Sequence, residues 1–559
     1  MRISKTKNGL KVQAIAGTYV VLLGIHLDEK DCKGLKGFSI HRTNHTAKTA
    51  GYLSGMKAFE TTDPGYPSGS LYGTDAHPVQ GFQWGDYDAT PGHDYTYIIT
   101  ALKGSPEALM PFKSLSIKLQ TESPEGGDHD IYFNRGTAAS QEYVRLFGDK
   151  VPEKIVNGKA FEWLSRGLFE AMCNFVNTCV PGKHSLRIAA YEFQYLPFLT
   201  LLKKSIDKGI DIQIIYDARD PKVAKPNREA VSAAELTPYC KERLKKPGNI
   251  SHNKFMVKLS DGNPVSVWTG GTNFKDGGIF GHSNVAHVVE NESIAKKYLD
   301  YWNALHSDPD INSIRLQNLT LTPDLPAEIP AGTSVIFSPR KGKAVLERYA
   351  EMAQSAKDAL FMTFAFGMGD DFKFVYENSK APLRIALLER FIRMMPDDTD
   401  EEIAKKETET AKMQKLRNKI ENIFAVGNRI VTNKLDGWLM EKLSGLNGNV
   451  NYVHNKFALI DPLSDDPIVI AGSANFSEAS TTGNDENMLI VRGNKRIADI
   501  YLGEYWRLFK HFSFRESIEK KWNNDQKPKP LIVDDSWWAR HFGKTSDAAR
   551  RKYFANVKI

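Results

Sequence analysis

Polar and apolar residues alternate along the first part of the chain. In "HDYTYIITAL", Tyr95, Tyr97, Ile99 and Ala101 take every second position, so they share one face of a half-buried strand. "KVQAIAGTYVVLLGIHL" and "LKGFSIHRT" are further β-rich runs, and Pro91 with Gly92 punctuates the series. This pattern predicts an all-β sandwich over residues 1–125. Beyond about residue 150 the period changes. "KAFEWLSRGLFEAMCNFV" and "PFLTLLKKSIDKG" carry helical spacing, the second opened by Pro197 and closed by Gly209. "SLRIAAYEF" and "IDIQIIYDARD" are apolar runs of strand length, and the alternation predicts an α/β sheet. The succession then returns in "AVLERYAEMAQSAKDA", "LFMTFAFGM", "FKFVYENSK" and "APLRIALLER". The expected architecture is a duplicated α/β domain behind the sandwich. Its halves span 130–315 and 331–515, joined through "LQNLTLTPDLPAEIPAGTS" and followed by a tail at 516–559.

Composition adds little beyond class. The 559 residues are 41% hydrophobic and 25% charged, as in soluble globular proteins. A net charge of +7 favours an anionic partner without specifying one. No apolar run has the length of a spanning helix, and "MRISKTKNGLKVQAIAG" lacks a signal-peptide core. The four cysteines do not make a disulfide framework, and "CNFVNTC" lacks zinc-ligand spacing. Reduced, buried thiols in a cytoplasmic protein are expected. "DDTDEEIAKKETETAKMQKLRNKIENI" sets Glu401 against Lys405 and Glu402 against Lys406, the pattern of a solvated helix. Trp537 and Trp538 mark the tail as a segment packed on the core.

The chemistry lies in a repeat. "HNKF" occurs at His252 and again at His454, 202 residues apart. An interval of 18 residues leads in both copies to a glycine, from His252 to Gly270 of "GGTN" and from His454 to Gly472 of "GSAN". A His and a Lys at i,i+2 on a strand share a face, and a turn of small residues admits an anion close to the backbone. Two such sets facing each other offer two imidazoles (His252, His454), two ammonium groups (Lys254, Lys456) and two amides (Asn273, Asn475). That set suits a phosphodiester: lysines and asparagines hold the non-bridging oxygens, one histidine attacks phosphorus and the other protonates the leaving alcohol. It calls for no metal and no cofactor.

H-x-K-x-x-x-x-D followed by G-S-x-N resembles the phospholipase D superfamily, and two copies in one chain resemble its pseudo-dimeric members. The resemblance covers about 130 to 515. It implies catalytic roles for His252, Lys254, His454, Lys456 and Asp461, and substrate contacts from Asn273, Ser473 and Asn475. It also implies a phosphohistidine intermediate and a site complete within one chain. The N-terminal region resembles a fibronectin type III-like sandwich and reads as an accessory or partner-binding domain. The copies are unequal. Leu259 stands where copy two has Asp461, and Gly271 where it has Ser473. Asn284 takes the place of Glu486, the carboxylate expected to orient a histidine. Read along the chain, this gives His454 the better carboxylate support, whereas the resemblance makes His252 the nucleophile. His282 and His287 are expected to be loop and strand residues without a role.

The substrate is open at this level. A phospholipid would meet apolar loops and a transient membrane surface, with "EFQYLPFLTLL" and "FAFGMGDDF" as candidates. A nucleic acid would meet a basic groove, for which "PYCKERLKKPGN" is the candidate. Phospholipid hydrolysis is preferred, with DNA or RNA cleavage and a degenerate phosphate-binding module as alternatives.

Overall fold

The computed structural model describes residues 1–63, 70–136, 140–148, 150–244, 250–392, 398–427, 453–522 and 530–558. Its N-terminal strands are β1 Arg2–Lys7, β2 Leu10–Ala16, β3 Val21–Leu27, β4 Gly37–Asn44, β5 Thr49–Tyr52, β6 Ser54–Gly55, β7 Tyr72–Gly73, β8 Gln83–Asp86, β9 Asp94–Ser105 and β10 Ala108–Gln120. They form the antiparallel sheets β1-β2-β3-β8 and β10-β9-β4-β5, with β6 paired to β7. Tyr95, Tyr97, Ile99 and Ala101 of β9 enter one core with Leu23 and Ile25 of β3. The alternation therefore identified the buried face. Each such apolar side chain contributes about 1.5–3 kcal/mol when fully buried.

The tail completes this core. Trp537 packs beside Phe38 and Phe82, and its indole N–H donates to the Leu35 carbonyl at 2.8 Å. Tyr553 and Phe554 of helix Ser546–Phe554 then pack against Phe361 and Trp506 of the second half. Ile15, Val20 and Leu22 of the sandwich belong to the same apolar cluster. Helix Lys495–Trp522 runs across the expected 515/516 boundary.

Two seven-stranded mixed sheets carry the duplication. The first contains β11 His129–Phe133, β12 His184–Ala190, β13 Asp211–Asp217, β14 Cys240–Arg243, β15 Lys254–Ser260, β16 Asn263–Gly270 and β17 Val285–Val289. The second contains β18 Gly332–Ser338, β19 Ala359–Phe364, β20 Leu383–Leu388, β21 Asn422–Val426, β22 Phe457–Ile460, β23 Ile468–Gly472 and β24 Glu486–Arg492. Their orders, β11-β17-β16-β15-β12-β13-β14 and β18-β24-β23-β22-β19-β20-β21, match position for position. Helix Glu292–His306 joins Phe255 and Val257 of the first sheet to Val335 and Leu489 of the second. Helix Lys495–Trp522 likewise joins Phe457 and Val491 to Ile131, Phe133 and Val285. The halves are thus locked face to face.

Several local expectations change. The run from Lys159 is two helices, Lys159–Ser165 and Leu168–Asn177, because Arg166 and Gly167 adopt left-handed backbone with φ of 50° and 91°. Helix Ile311–Leu321 takes up the start of the expected linker. The charged helix is Asp400–Arg417, opened by a capping box between Thr399 and Glu402. All four cysteines are unpaired thiols. No helix among the described residues is long and apolar enough to cross a membrane.

Candidate active site

The paired histidines do not sit on strands, as their i,i+2 spacing to lysine suggested. β15 begins at Lys254 and β22 at Phe457, so His252 and His454 lie just before them. Short parallel bridges between the halves hold these segments instead: Ser251 with Asp485, and Val453 with Ser283. The His252 amide donates to the Asp485 carbonyl at 3.0 Å, and the Asp485 amide to the Ile250 carbonyl at 3.1 Å. Each copy adds a carboxylate from the carboxyl end of a parallel strand. Asp217, closing β13, accepts from the Ser251 amide at 2.7 Å, and Glu389, following β20, from the Val453 amide at 2.8 Å. Burial pushes the Asp217 carboxyl up to about 6 against the amides that favour its charge. These two acids were not foreseen. Their signal was an acidic residue directly behind a parallel strand, the end at which α/β sheets place their sites.

The carboxylate assignment read along the chain is reversed in space. Glu486 opens β24, and its carboxylate meets His252 Nδ1 at 2.9 and 3.0 Å. His454 Nδ1 instead donates to Asn284 Oδ1 at 2.9 Å. Asn284 Nδ2 donates to the Gly278 carbonyl at 2.7 Å, which fixes the amide's direction. A carboxylate only accepts, so His252 carries its proton on Nδ1 and presents Nε2 for chemistry. Burial opposes ionisation of Glu486, yet His252 and Lys254 hold its carboxyl below the usual range. Asp485, its neighbour, is clamped by Arg219 at 2.9 Å and Arg243 at 3.1 Å.

The small residues have geometric reasons. A side chain at Gly270 or Gly472 would run into the carbonyl of Val285 or Asn487 on the adjacent strand. A Cβ at Gly271 would stand 3.2 Å from Asn284 Oδ1, crowding the amide that serves His454. Ser473 is fully buried, accepts the Asn487 amide at 3.0 Å and supports the Glu486 carboxylate.

The charged centre is buried. His252, Lys254, His454 and Lys456 are all buried. Lys254 Nζ donates to the His252 carbonyl and lies 5.1 Å from the Tyr191 ring; Lys456 Nζ donates to the His454 carbonyl at 2.7 Å. Burial lowers Lys254 to about 7, and burial with the field of Lys254 lowers Lys456 well below its ordinary value. Burial also takes His252 down to about 4, and burial with the field of Lys456 lowers His454 well below its ordinary value. Cations held this reluctantly stand ready for an anion, whose charge would restore them. Asn273 is buried beside them, with Nδ2 donating to Glu192, and Asn475 is half-buried. The Oδ1 atoms of both are buried and meet no hydrogen-bond partner among the described residues. His282, expected to have no role, packs at a tilt against His454 with ring centroids 4.9 Å apart. His287 stays outside, bonded to His129 at 2.8 Å and Tyr501 at 3.2 Å.

Asp461, expected among the catalytic residues, is not part of this cluster. It follows the far end of β22, five residues and roughly 16 Å along the chain from Lys456. Its carboxylate accepts from the amides of Lys357, Asp358 and Ala359 at 2.8 to 3.1 Å. It caps the entry to β19. Asp461→Ala should cost about 1–2 kcal/mol of stability, as lost caps do. A urea melt should show the loss, while kcat stays near wild type.

The sequence from 179 to 306 and from 376 to 509 matches the family model described as "Cardiolipin synthase, PLD-like domain". The chain therefore carries a phospholipase D-like domain in two segments. Members of the phospholipase D superfamily act on phosphodiesters. Among solved structures it is similar to phosphatidylserine synthase of Haemophilus influenzae Rd KW20, with 11% identity over 62% of this chain and 85% of that one, at a TM-score of 0.44. It is similar to the phospholipase D family member Nuc from Salmonella typhimurium, with 21% identity over 24% of this chain and 84% of that one, at 0.20. A polyphosphate kinase from Porphyromonas gingivalis shows 9% identity over 71% of this chain, at 0.39, and this chain spans about half of that protein (53%). No curated protein sequence matches the chain.

Proposed function

We propose that the chain is a metal-independent phosphodiesterase working through a phosphohistidine on His252. The observation that carries this is the Glu486–His252 pair, which supplies a carboxylate to one histidine and an amide to the other. His252 Nε2 attacks phosphorus, a P–N bond forms, and the P–O bond to the leaving alcohol breaks. Charge builds on His252, and Glu486 balances it. Lys254 and Lys456, with the asparagine amides, take the charge on the non-bridging oxygens. The bound phosphate's charge favours the His454 imidazolium, which gives the leaving oxygen its proton and becomes the neutral imidazole. His454 then takes a proton from water as water attacks phosphorus and the P–N bond breaks. Once its own proton is gone, an imidazole that burial pushes toward its neutral form, with Nδ1 held by Asn284, fits the second half-reaction as the base.

For the substrate we propose a phospholipid. The matched family model is named for an enzyme of phospholipids. Phe366, in the candidate loop "FAFGMGDDF", is 46% exposed two residues beyond the end of β19. The basic candidate loop falls partly outside the described residues, at 245–249. The sandwich, fibronectin type III-like in this reading, is an accessory domain, and a cytoplasmic setting belongs to the same proposal. Phosphatidylcholine vesicles and single- and double-stranded DNA, assayed side by side in chelator, test the substrate. Headgroup release without DNA cleavage is expected; DNA cleavage without headgroup release would replace the lipid reading.

The lowered groups set the pH profile. kcat/KM for bis(p-nitrophenyl) phosphate should rise as pH passes about 4, where His252 becomes neutral. It should fall through about 7, where Lys254 loses its proton. kcat should persist to higher pH, because the bound anion keeps the ammonium charged. Initial rates from pH 3.5 to 9 check both limbs.

A further inference from the structure

The two halves differ at the mouth of the site. Two residues beyond the end of β12 stands Glu192; two beyond the end of β19 stands Phe366. After the small-residue turns, copy one continues with Lys275 and copy two with Ser477. Glu192 thus belongs to one side of the site only. Its side chain is 16% exposed, with Oε2 accepting from Asn273 Nδ2 and Oε1 from Lys275 Nζ. Its field also reaches both Lys254 and Lys456. A carboxylate so placed uses the donors that a non-bridging phosphate oxygen needs, and it faces the same two ammonium groups.

We infer that Glu192 is a built-in occupant of the anion cradle, which a substrate phosphate must displace from Asn273 and Lys275. This rests on the phosphodiesterase reading for the name of the substrate, but not for the chemistry of the displaced group. The consequence is selectivity. A small free oxyanion brings nothing to offset the two charge-assisted hydrogen bonds it breaks. A phosphodiester brings the binding energy of its two substituents. Glu192 therefore weakens inhibition by free phosphate more than it weakens substrate binding. It acts before chemistry, so its removal changes KM rather than kcat.

Tungstate serves as the probe, titrated calorimetrically into wild type, Glu192→Gln and Glu192→Ala after thermal melts establish that all three are folded. Glutamine keeps the shape and loses the charge; alanine vacates the cradle. Both variants should bind tungstate roughly 10-fold more tightly, as expected for one fixed like charge removed from a partly screened site. KM for bis(p-nitrophenyl) phosphate should fall in both, with kcat within about twofold of wild type. Unchanged or weaker tungstate binding in the folded variants would overturn the inference, since a residue that merely props Asn273 and Lys275 would weaken the site when removed. Absence of tungstate binding in all three would overturn it as well. The two readings fail separately. Tighter tungstate binding without turnover in wild type defeats the phosphodiesterase reading alone. Turnover without tighter tungstate binding defeats the role of Glu192 alone.

Discussion

Alanine in place of His252 is expected to abolish the release of nitrophenolate from bis(p-nitrophenyl) phosphate, burst included, with a fall of roughly four to six orders of magnitude in kcat as for other nucleophile deletions. The reasoning is local. His252 is the histidine whose Nδ1 is held by a carboxylate at 2.9 Å, and only that histidine can build positive charge while a P–N bond forms. p-Nitrophenolate is a good leaving group and needs little protonation. His454→Ala should therefore keep the burst and lose the steady state, because water then lacks its base. Stopped-flow absorbance separates the two variants. A burst that survives in His252→Ala and vanishes in His454→Ala would invert the roles.

Glu486→Gln is the second large effect. Glutamine can accept the Nδ1 proton in the same place, so the geometry is conserved while the charge is not. Loss of roughly 10²–10⁴-fold in the burst rate is expected, the range for an orienting carboxylate replaced by its amide. Glu486 is fully buried and ionised beside Lys254, so its charge also balances the ammonium groups. Thermal melts of the variant guard against a folding defect. If Glu486 served His454 instead, the burst would be untouched and only the steady state would slow.

That pairing shows where the sequence stops being informative. The twofold repeat was legible because strands and turns impose short-range constraints: period-2 burial, small residues where neighbouring strands approach, and equal spacing from histidine to glycine. The repeat implies that the two sheets share one strand order, and they do. The partner of each histidine does not, because it is set by how one half faces the other. Glu486 and His252 lie 234 positions apart, yet the bridge between Ser251 and Asp485 brings them into contact. Reading along the chain placed the carboxylate beside the histidine of its own copy, and the interleaved halves moved it to the other. Asp461 stands apart from the cluster for a related reason. It follows the motif in sequence, but a strand carries it away from the lysine to cap β19. Asp217, Glu389 and Glu192 escaped because they stand alone behind strands, without a spacing that repeats between copies.

The account turns on which histidine carries the phosphoryl group. Wild type and His454→Ala, mixed with bis(p-nitrophenyl) phosphate, quenched in alkali and digested, can be mapped by mass spectrometry for the p-nitrophenyl phosphoryl adduct. The account predicts the adduct on the peptide containing His252, with the larger yield in His454→Ala. An adduct on His454 in wild type, or turnover with no covalent adduct at either histidine, would contradict it.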